Sequence, residues 1–93
     1  MLAEHKIRLL MQRLHKAGYQ VSRHGCDALV FRGNTYVASI HIYPLAGMVT
    51  VKRYVLNPES RRHALNIVRL IEDALPGCRV LLGETRVLRE GEP

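Results

Sequence analysis

The sequence predicts an α+β protein in which two helices cover one face of a mostly antiparallel sheet, in the order α-β-β-β-β-α-β. Three observations lead to this prediction. An amphipathic helix opens the chain, two consecutive β-hairpins occupy Ala28–Leu56, and a second amphipathic helix precedes one more strand. Helices that flank a run of hairpins commonly pack together on one face of the sheet, which makes a two-layer sandwich.

The first helix is predicted over Ala3–Ala17. Its apolar residues recur at steps of four and three and form one stripe: Ala3, Ile7, Leu10, Leu14 and Ala17. Gly18 follows, and glycine is the residue that most often ends a helix. A short strand, Tyr19–Arg23, and a turn at His24–Gly25 are expected next.

The two hairpins are predicted from their turns. Gly33–Asn34 is a two-residue turn signal, and Pro44–Gly47 marks the second turn. The first turn predicts the pairs Arg32 with Thr35, Phe31 with Tyr36, Val30 with Val37, and Leu29 with Ala38. The second turn predicts Tyr43 with Met48, Ile42 with Val49, His41 with Thr50, Ile40 with Val51, and Ser39 with Lys52.

These pairings predict two sheet faces of different chemistry, because side chains along a strand alternate between faces. The expected core face, which the helices would cover, consists of Leu29, Phe31, Tyr36, Ala38, Ile40, Ile42, Val49 and Val51. The expected open face carries basic, hydroxyl and aromatic groups: Arg32, Thr35, Val37, Ser39, His41, Tyr43, Thr50, Lys52 and Tyr54.

The second helix has a clear predicted start. Asn57 is the N-cap candidate, Pro58 suits the first helical position, and the helix should continue to Leu75. Its predicted apolar face is Ala64, Leu65, Ile67, Val68, Ile71, Ala74 and Leu75, and its outer face is Arg62, Asn66, Arg69 and Asp73. A last strand, Cys78–Leu82, should rejoin the sheet. We therefore expect a single domain over residues 1–83 and a polar tail over residues 84–93.

The charge of the chain favours an acidic partner. The net charge is +6, and arginine supplies eleven of the fourteen basic residues. The charge is uneven, because residues 1–69 carry +8 and residues 70–93 carry −2. Arginine binds phosphates and carboxylates with two parallel hydrogen bonds and stacks on aromatic rings. A one-sided positive field favours nucleic acid first among acidic partners, although arginine-rich surfaces also occur without a binding role.

Several other classes find no support in the sequence. No apolar run approaches the roughly 20 residues that a membrane-spanning helix needs, and the first residues lack the layout of a secretory signal. Cys26 and Cys78 are single and distant, which favours reduced thiols in a cytoplasmic protein. The five histidines do not show metal-ligand spacing. We therefore expect no cofactor, no metal site and no enzymatic activity.

The leading sequence-based hypothesis is a small, basic, non-enzymatic binding module that recognises nucleic acid or a nucleoprotein complex, as accessory or inhibitor proteins of phages and mobile elements do. The open sheet face and the start of the second helix would bind the partner. The candidate binding residues are Arg32, His41, Tyr43, Lys52, Arg53, Tyr54, Arg61 and Arg62. Two alternatives stay open: a homodimeric structural or adaptor protein that uses the open sheet face, and a metal-independent ribonuclease that uses His24 or His41.

One stretch is similar to a known family. Gly18–Arg32 (GYQVSRHGCDALVFR) resembles HicA-type mRNA-interferase toxins, and the helix–strands–helix layout is similar to that of double-stranded-RNA-binding domains. The toxins carry a catalytic histidine on the second strand, whereas Ala28 and Leu29 stand near the corresponding position here. The RNA-binding domains begin their second helix with lysines, where this chain has Glu59-Ser60-Arg61-Arg62. The resemblance therefore assigns the chain to neither family.

Overall fold

The computed structural model describes residues 2–86 and confirms the predicted α+β architecture. The elements are α1 (Glu4–Lys16), β1 (Gln20–His24), β2 (Asp27–Arg32), β3 (Thr35–Tyr43), β4 (Met48–Tyr54), α2 (Ser60–Ala74) and β5 (Arg79–Thr85). The five strands form one sheet in the order β1-β2-β3-β4-β5. Neighbours pair antiparallel except β4 and β5, which are parallel because α2 crosses over between them.

The two helices pack against each other and against one face of the sheet, α1 on β1 and α2 on β3, β4 and β5. The core lies between these layers. Its largest fully buried side chains include Leu10 and Leu14 of α1, Ile40 of β3, and Ile67 and Ile71 of α2. Burial of each such side chain contributes roughly 1.5–3 kcal/mol, so this layer is the main source of stability. Among residues 2–86, no helix is long and apolar enough to cross a membrane.

The end of α1 follows the sequence prediction closely. Gly18 has a φ of +96°, and its amide donates to the carbonyl of His15 at 2.9 Å. The amide of Tyr19 donates to the carbonyl of Leu14 at 3.1 Å. These two bonds form a Schellman motif, which satisfies the last carbonyls of the helix and directs the chain into β1.

The start of α2 differs from the prediction. The helix begins at Ser60 rather than at Pro58, because residues 58–59 form a turn. The N-cap is Glu59 rather than the predicted Asn57, and it makes no side-chain cap bond. The Oδ1 of Asn57 accepts a hydrogen bond from the amide of Glu59 at 2.9 Å, within the turn that precedes the helix. The predicted apolar face was wrong at Leu65, which is 46% exposed, whereas His63 is buried.

A β-bulge overturns part of the predicted sheet register. The pairs Arg32–Thr35 and Phe31–Tyr36 are confirmed, and so is every predicted pair between β3 and β4. Past the bulge at Val30/Phe31, however, Val30 pairs with Ala38 and Leu29 with Ser39. An extra residue in one strand reverses the alternation of faces on one side of the bulge.

The face assignments change accordingly. Val37 is 1% exposed and belongs to the core beneath the helices. The residues that move from the predicted open face to the helical side are Arg32, Thr35 and Val37. The residues that move from the predicted core to the other face are Leu29, Phe31 and Tyr36.

The last strand is longer than predicted. β5 runs to Thr85, so Glu84 and Thr85 belong to the sheet rather than to a tail. The remainder of the predicted tail, residues 87–93, lies outside the described residues. Both cysteines are free thiols, as expected. Cys78 donates from Sγ to the carbonyl of Gly47 at 3.1 Å, and burial raises the pKa of its thiol.

Candidate nucleic-acid interface

The structure divides the predicted binding residues between the two faces of the sheet. Four of them lie on the face that the helices leave uncovered: His41, Tyr43, Lys52 and Tyr54. The other four lie on the helical side: Arg32, Arg53, Arg61 and Arg62. The eight predicted binding residues therefore make two separate surfaces, with Lys52 on the sheet face and Arg61 and Arg62 on the helical side.

Arg32 reaches the helical side because of the bulge in β2 and β3. Its Nη1 donates to the carbonyl of Ala17 at 2.8 Å, where α1 ends. Its guanidinium carbon lies 5.2 Å from the centre of the Tyr19 ring, in a cation–π contact. Both contacts hold the guanidinium at the end of α1, beside the first turns of α2.

Two arginines of α2 face the same region. Arg62 and Arg69 are seven residues apart, which places them on one side of the helix. Together with Arg32 they line a cleft of about 360 Å³ between the end of α1 and α2. Arg62 forms an ion pair with Glu59, while Arg69 forms no ion pair with any of residues 2–86. We call this feature the arginine cleft.

The outer face of α2 extends the positive surface. An adjoining depression is lined by Arg61 and the exposed Leu65, and it shares Arg62, Asn66 and Arg69 with the arginine cleft. The last turn of α1 contributes further basic groups, Arg13 and Lys16. Exposed basic residues therefore occur in the last turn of α1 and along α2 from Arg61 to Arg69.

The wall of the arginine cleft contains a buried histidine that sequence reasoning missed. His63 is 7% exposed, and its Nδ1 is 2.8 Å from the hydroxyl of Tyr19 in a hydrogen bond. Burial lowers the pKa of His63, and the neighbouring charges of Arg62 and Arg32 lower it further. A signal was available, because residues 63, 67 and 71 recur every four positions along the apolar stripe of α2.

Arg53 has a structural role on the helical side. Its Nη1 donates to Ser60 Oγ at 3.2 Å, and its Nη2 donates to Glu84 Oε2 at 2.7 Å. The side chain is 18% exposed. Arg53 thus ties β4 to the start of α2 and to β5, and its charge is already paired.

The uncovered sheet face has a second concave site. Asp27 and His41 are directly paired across β2 and β3, and a hydrogen bond joins His41 Nδ1 to Asp27 Oδ1. The ring of Tyr43 lies 4.4 Å from the imidazole, centre to centre. These groups line a pocket of about 220 Å³ together with Lys52 and the hydroxyl residues Ser39 and Thr50. We call it the sheet pocket.

An aromatic cluster adjoins the sheet pocket. The ring centres of Phe31 and Tyr36 are 5.5 Å apart, and those of Tyr36 and Tyr54 are 4.8 Å apart. Such contacts contribute roughly 0.5–1.5 kcal/mol each beyond the apolar area that they bury. Tyr36 is only 5% exposed, so this part of the face is packed rather than an open stacking platform. The best exposed tyrosine is Tyr43, at 40%.

In the part of the chain that the structure describes, no three His, Cys, Asp or Glu side chains come together in a group that could hold a metal ion. The chain matches no protein-family model, and no curated protein or solved structure shows significant similarity to it. Any function must therefore be argued from the arginine cleft and the sheet pocket themselves.

Proposed function

We propose that the protein binds nucleic acid through the arginine cleft. The observation that carries this proposal is that Arg32, Arg62 and Arg69 line one cleft. Within residues 2–86, only one carboxylate, that of Glu59, forms an ion pair with any of the three. Guanidinium groups match the geometry of phosphate oxygens, and several of them in one groove suit a repeating phosphate backbone.

The charge distribution supports the helical side over the sheet face. Arg61 and Arg69 form no ion pair within residues 2–86, and Arg13 and Lys16 extend the positive surface. On the sheet face, the carboxylate of Asp27 stands beside His41 and partly offsets the charge of Lys52. Residues 60–69 of α2 carry three arginines and no carboxylate, so a polyanion meets more positive charge there than at the sheet pocket.

The position of the arginines is unfavourable for the helix alone. Arg61 and Arg62 lie in the first turn of α2, and that turn contains no acidic residue. Cations there oppose the helix dipole and cost about 0.3–1 kcal/mol each. A bound phosphate would remove this cost, because it neutralises the arginines at the end of the helix where the backbone amides also attract anions.

The test is a salt titration with charge-matched variants. Fluorescence anisotropy measures the binding of labelled single- and double-stranded DNA and RNA at several salt concentrations. On duplex DNA, the logarithm of the affinity falls with the logarithm of the salt concentration, with a slope of about 0.9 for each phosphate contacted. If Arg32, Arg62 and Arg69 each contact a phosphate, Arg62→Ala/Arg69→Ala should make this slope shallower by about 1.8.

The control variant is Arg8→Ala/Arg79→Ala, which removes the same charge at two exposed positions outside the cleft. Equal losses in both variants would show attraction to net charge alone and would contradict the proposal. Absence of salt-dependent binding would contradict it as well, and would turn attention to an acidic protein partner. Light scattering on the same samples tests the homodimer alternative.

A second candidate function is metal-independent cleavage of RNA at the sheet pocket, and one observation favours it. Asp27 accepts a hydrogen bond from His41 Nδ1, which leaves Nε2 without a hydrogen bond to any of residues 2–86. A carboxylate that orients an imidazole is a common arrangement for a general base. Neither Ser39 nor Thr50 hydrogen-bonds to His41, so the substrate must bring its own nucleophile, as the RNA 2′-hydroxyl does.

The corresponding assay incubates an oligoribonucleotide with the protein in EDTA. Cleavage should disappear in His41→Asn and with a substrate whose single reactive 2′-hydroxyl is replaced by hydrogen. His24→Asn is the control, because His24 lies outside the sheet pocket. Cleavage that survives in His41→Asn would dismiss this candidate.

A further inference from the structure

His63 is placed where a phosphate in the arginine cleft would meet it. Its ring is held on one side by the Tyr19 hydroxyl at Nδ1, with the two rings edge to face at 5.5 Å. Its other nitrogen, Nε2, is 3.5 Å from Arg62 Nη2. Arg32, at the end of β2, lines the same cleft. The second nitrogen of a buried imidazole therefore faces the arginines rather than the core.

We infer that His63 is a phosphate ligand of the arginine cleft, and that a phosphate held between Arg32 and Arg62 keeps the imidazole in its protonated, doubly donating form. This inference rests on the proposed nucleic-acid binding and deepens it. The site would take one oxyanion of a phosphodiester, with guanidinium donors on two sides and Nε2–H as a third donor.

The groups that face His63 explain why its protonated form is disfavoured before the anion binds. Arg62, its neighbour on α2, and Arg32 on β2 are both cationic, and Tyr19 at the start of β1 is uncharged. Glu59 on the turn before α2 is the only opposing charge among the described residues that influences it, and it is already paired with Arg62. Desolvation and like charge together lower the pKa of His63 in the unbound protein.

A bound oxyanion reverses this balance. It neutralises the two guanidinium groups and accepts a hydrogen bond from Nε2–H, so the imidazolium gains a partner instead of facing two cations. Nδ1–H then donates to the Tyr19 oxygen, and both ring protons are satisfied. Binding and protonation therefore strengthen each other, as linkage requires.

The first experiment needs no variant and no nucleic acid. NMR of the histidine rings gives the pKa of His63 in sodium sulfate and in sodium chloride at equal ionic strength, with sulfate as the phosphate analogue. Sulfate should raise the pKa of His63, whereas the ring signals of His5, an exposed histidine in the first turn of α1 and outside the arginine cleft, should show no matching response. An equal response of the two histidines to sulfate, or none in His63, would overturn the inference.

The second experiment uses duplex DNA, whose phosphodiesters keep one negative charge throughout the pH range. Wild-type affinity should rise as pH falls below neutrality, by up to about tenfold per pH unit for one linked proton. His63→Gln keeps a side chain that can donate a hydrogen bond but cannot titrate, so its affinity should not follow pH in this way. His5→Gln, at an exposed histidine outside the arginine cleft, is the matched control and should behave like the wild type.

The outcomes separate this inference from the proposed function. DNA binding that depends on Arg62 and Arg69 but shows the same pH dependence in wild type and His63→Gln would leave the proposed function standing and refute the role of His63. A rise in the pKa of His63 in sulfate without any DNA binding would support the anion site and refute the nucleic-acid partner.

Discussion

Gly18 couples the stability of the fold to the arginine cleft, and Gly18→Ala tests this coupling. The φ of Gly18 is +96°, and a Cβ atom added there would lie 2.6 Å from Arg32 Nη1. That distance is too short for any real contact, so the guanidinium would have to move. Its hydrogen bond to the carbonyl of Ala17, 2.8 Å long, would then break.

The expected cost has two parts. An alanine at positive φ costs about 1 kcal/mol or slightly more. Loss of the hydrogen bond from Arg32 adds about 0.5–1 kcal/mol, at the low end because the group is exposed. Gly18→Ala should therefore lower the free energy of unfolding by about 2 kcal/mol. Gly77→Ala is the control, because Gly77 has a φ of +89° with nothing within 4 Å of the added Cβ.

Urea denaturation of both variants, in wild-type and Arg32→Ala backgrounds, completes the test. In the Arg32→Ala background the cost of Gly18→Ala should fall to that of Gly77→Ala, because the guanidinium is gone. Gly18→Ala should also weaken DNA binding, since Arg32 is displaced from the cleft. Equal costs for Gly18→Ala and Gly77→Ala in the wild-type background would refute the reasoning.

Two further predictions concern other parts of the fold. Arg23 hydrogen bonds hold the pKa of the Glu4 carboxyl at about 2, below its usual 4.5, so this ion pair stabilises the protein above about pH 4.5 and is lost as pH falls through about 2. Glu4→Gln should therefore destabilise the protein at pH 7 but not near pH 2 in urea titrations, and a difference that stays constant with pH would contradict this. Asn57→Ala removes the hydrogen bonds to the Glu59 amide and from Nδ2 to the Tyr36 carbonyl, and should cost about 1–2 kcal/mol in the same assay. Asn57→Ser keeps an oxygen that can accept from the Glu59 amide but loses the donor to Tyr36, so its loss should lie between those of wild type and alanine; a loss as large as that of alanine would show that the bond from the Glu59 amide contributes little.

The helices and most of the sheet were predictable because local patterns determine them. The apolar stripe of Ile7, Leu10 and Leu14 identifies α1 wherever it packs, and Gly18 ends it through a motif that needs only nearby backbone groups. The β3–β4 pairing was predicted residue by residue, since the Pro44–Gly47 turn sets the register. The N-cap of α2 was predicted two residues too early: it is Glu59, and the side chain of Asn57 accepts a hydrogen bond in the turn before the helix.

The candidate site was predictable only in part. Arg62 lies on the proposed surface, as expected from its place at the start of α2, and Arg69 was correctly placed on the same outer face. The predicted binding residues did not include Arg69, and they combined Arg62 with Lys52 and Tyr43, which the sheet separates from it. The sequence already implied this separation, because side chains alternate along β4, and Lys52 therefore points away from the face that the helices cover.

The amino-acid sequence by itself determined the order of elements, the basic character of the chain and the two amphipathic helices, because each depends on local spacing and composition. The tertiary structure alone decided which side chains share a surface. The physical reason is the bulge at Val30/Phe31, which shifts the pairing of β2 with β3 by one residue. Because of this shift, Arg32 lies on the helical side of the sheet, and Phe31 and Tyr36 lie on the other face. The neighbouring apolar pairs, Val30–Phe31 and Tyr36–Val37, break the alternation in the sequence, but only the packing of Val37 beneath α2 decides where the extra residue goes.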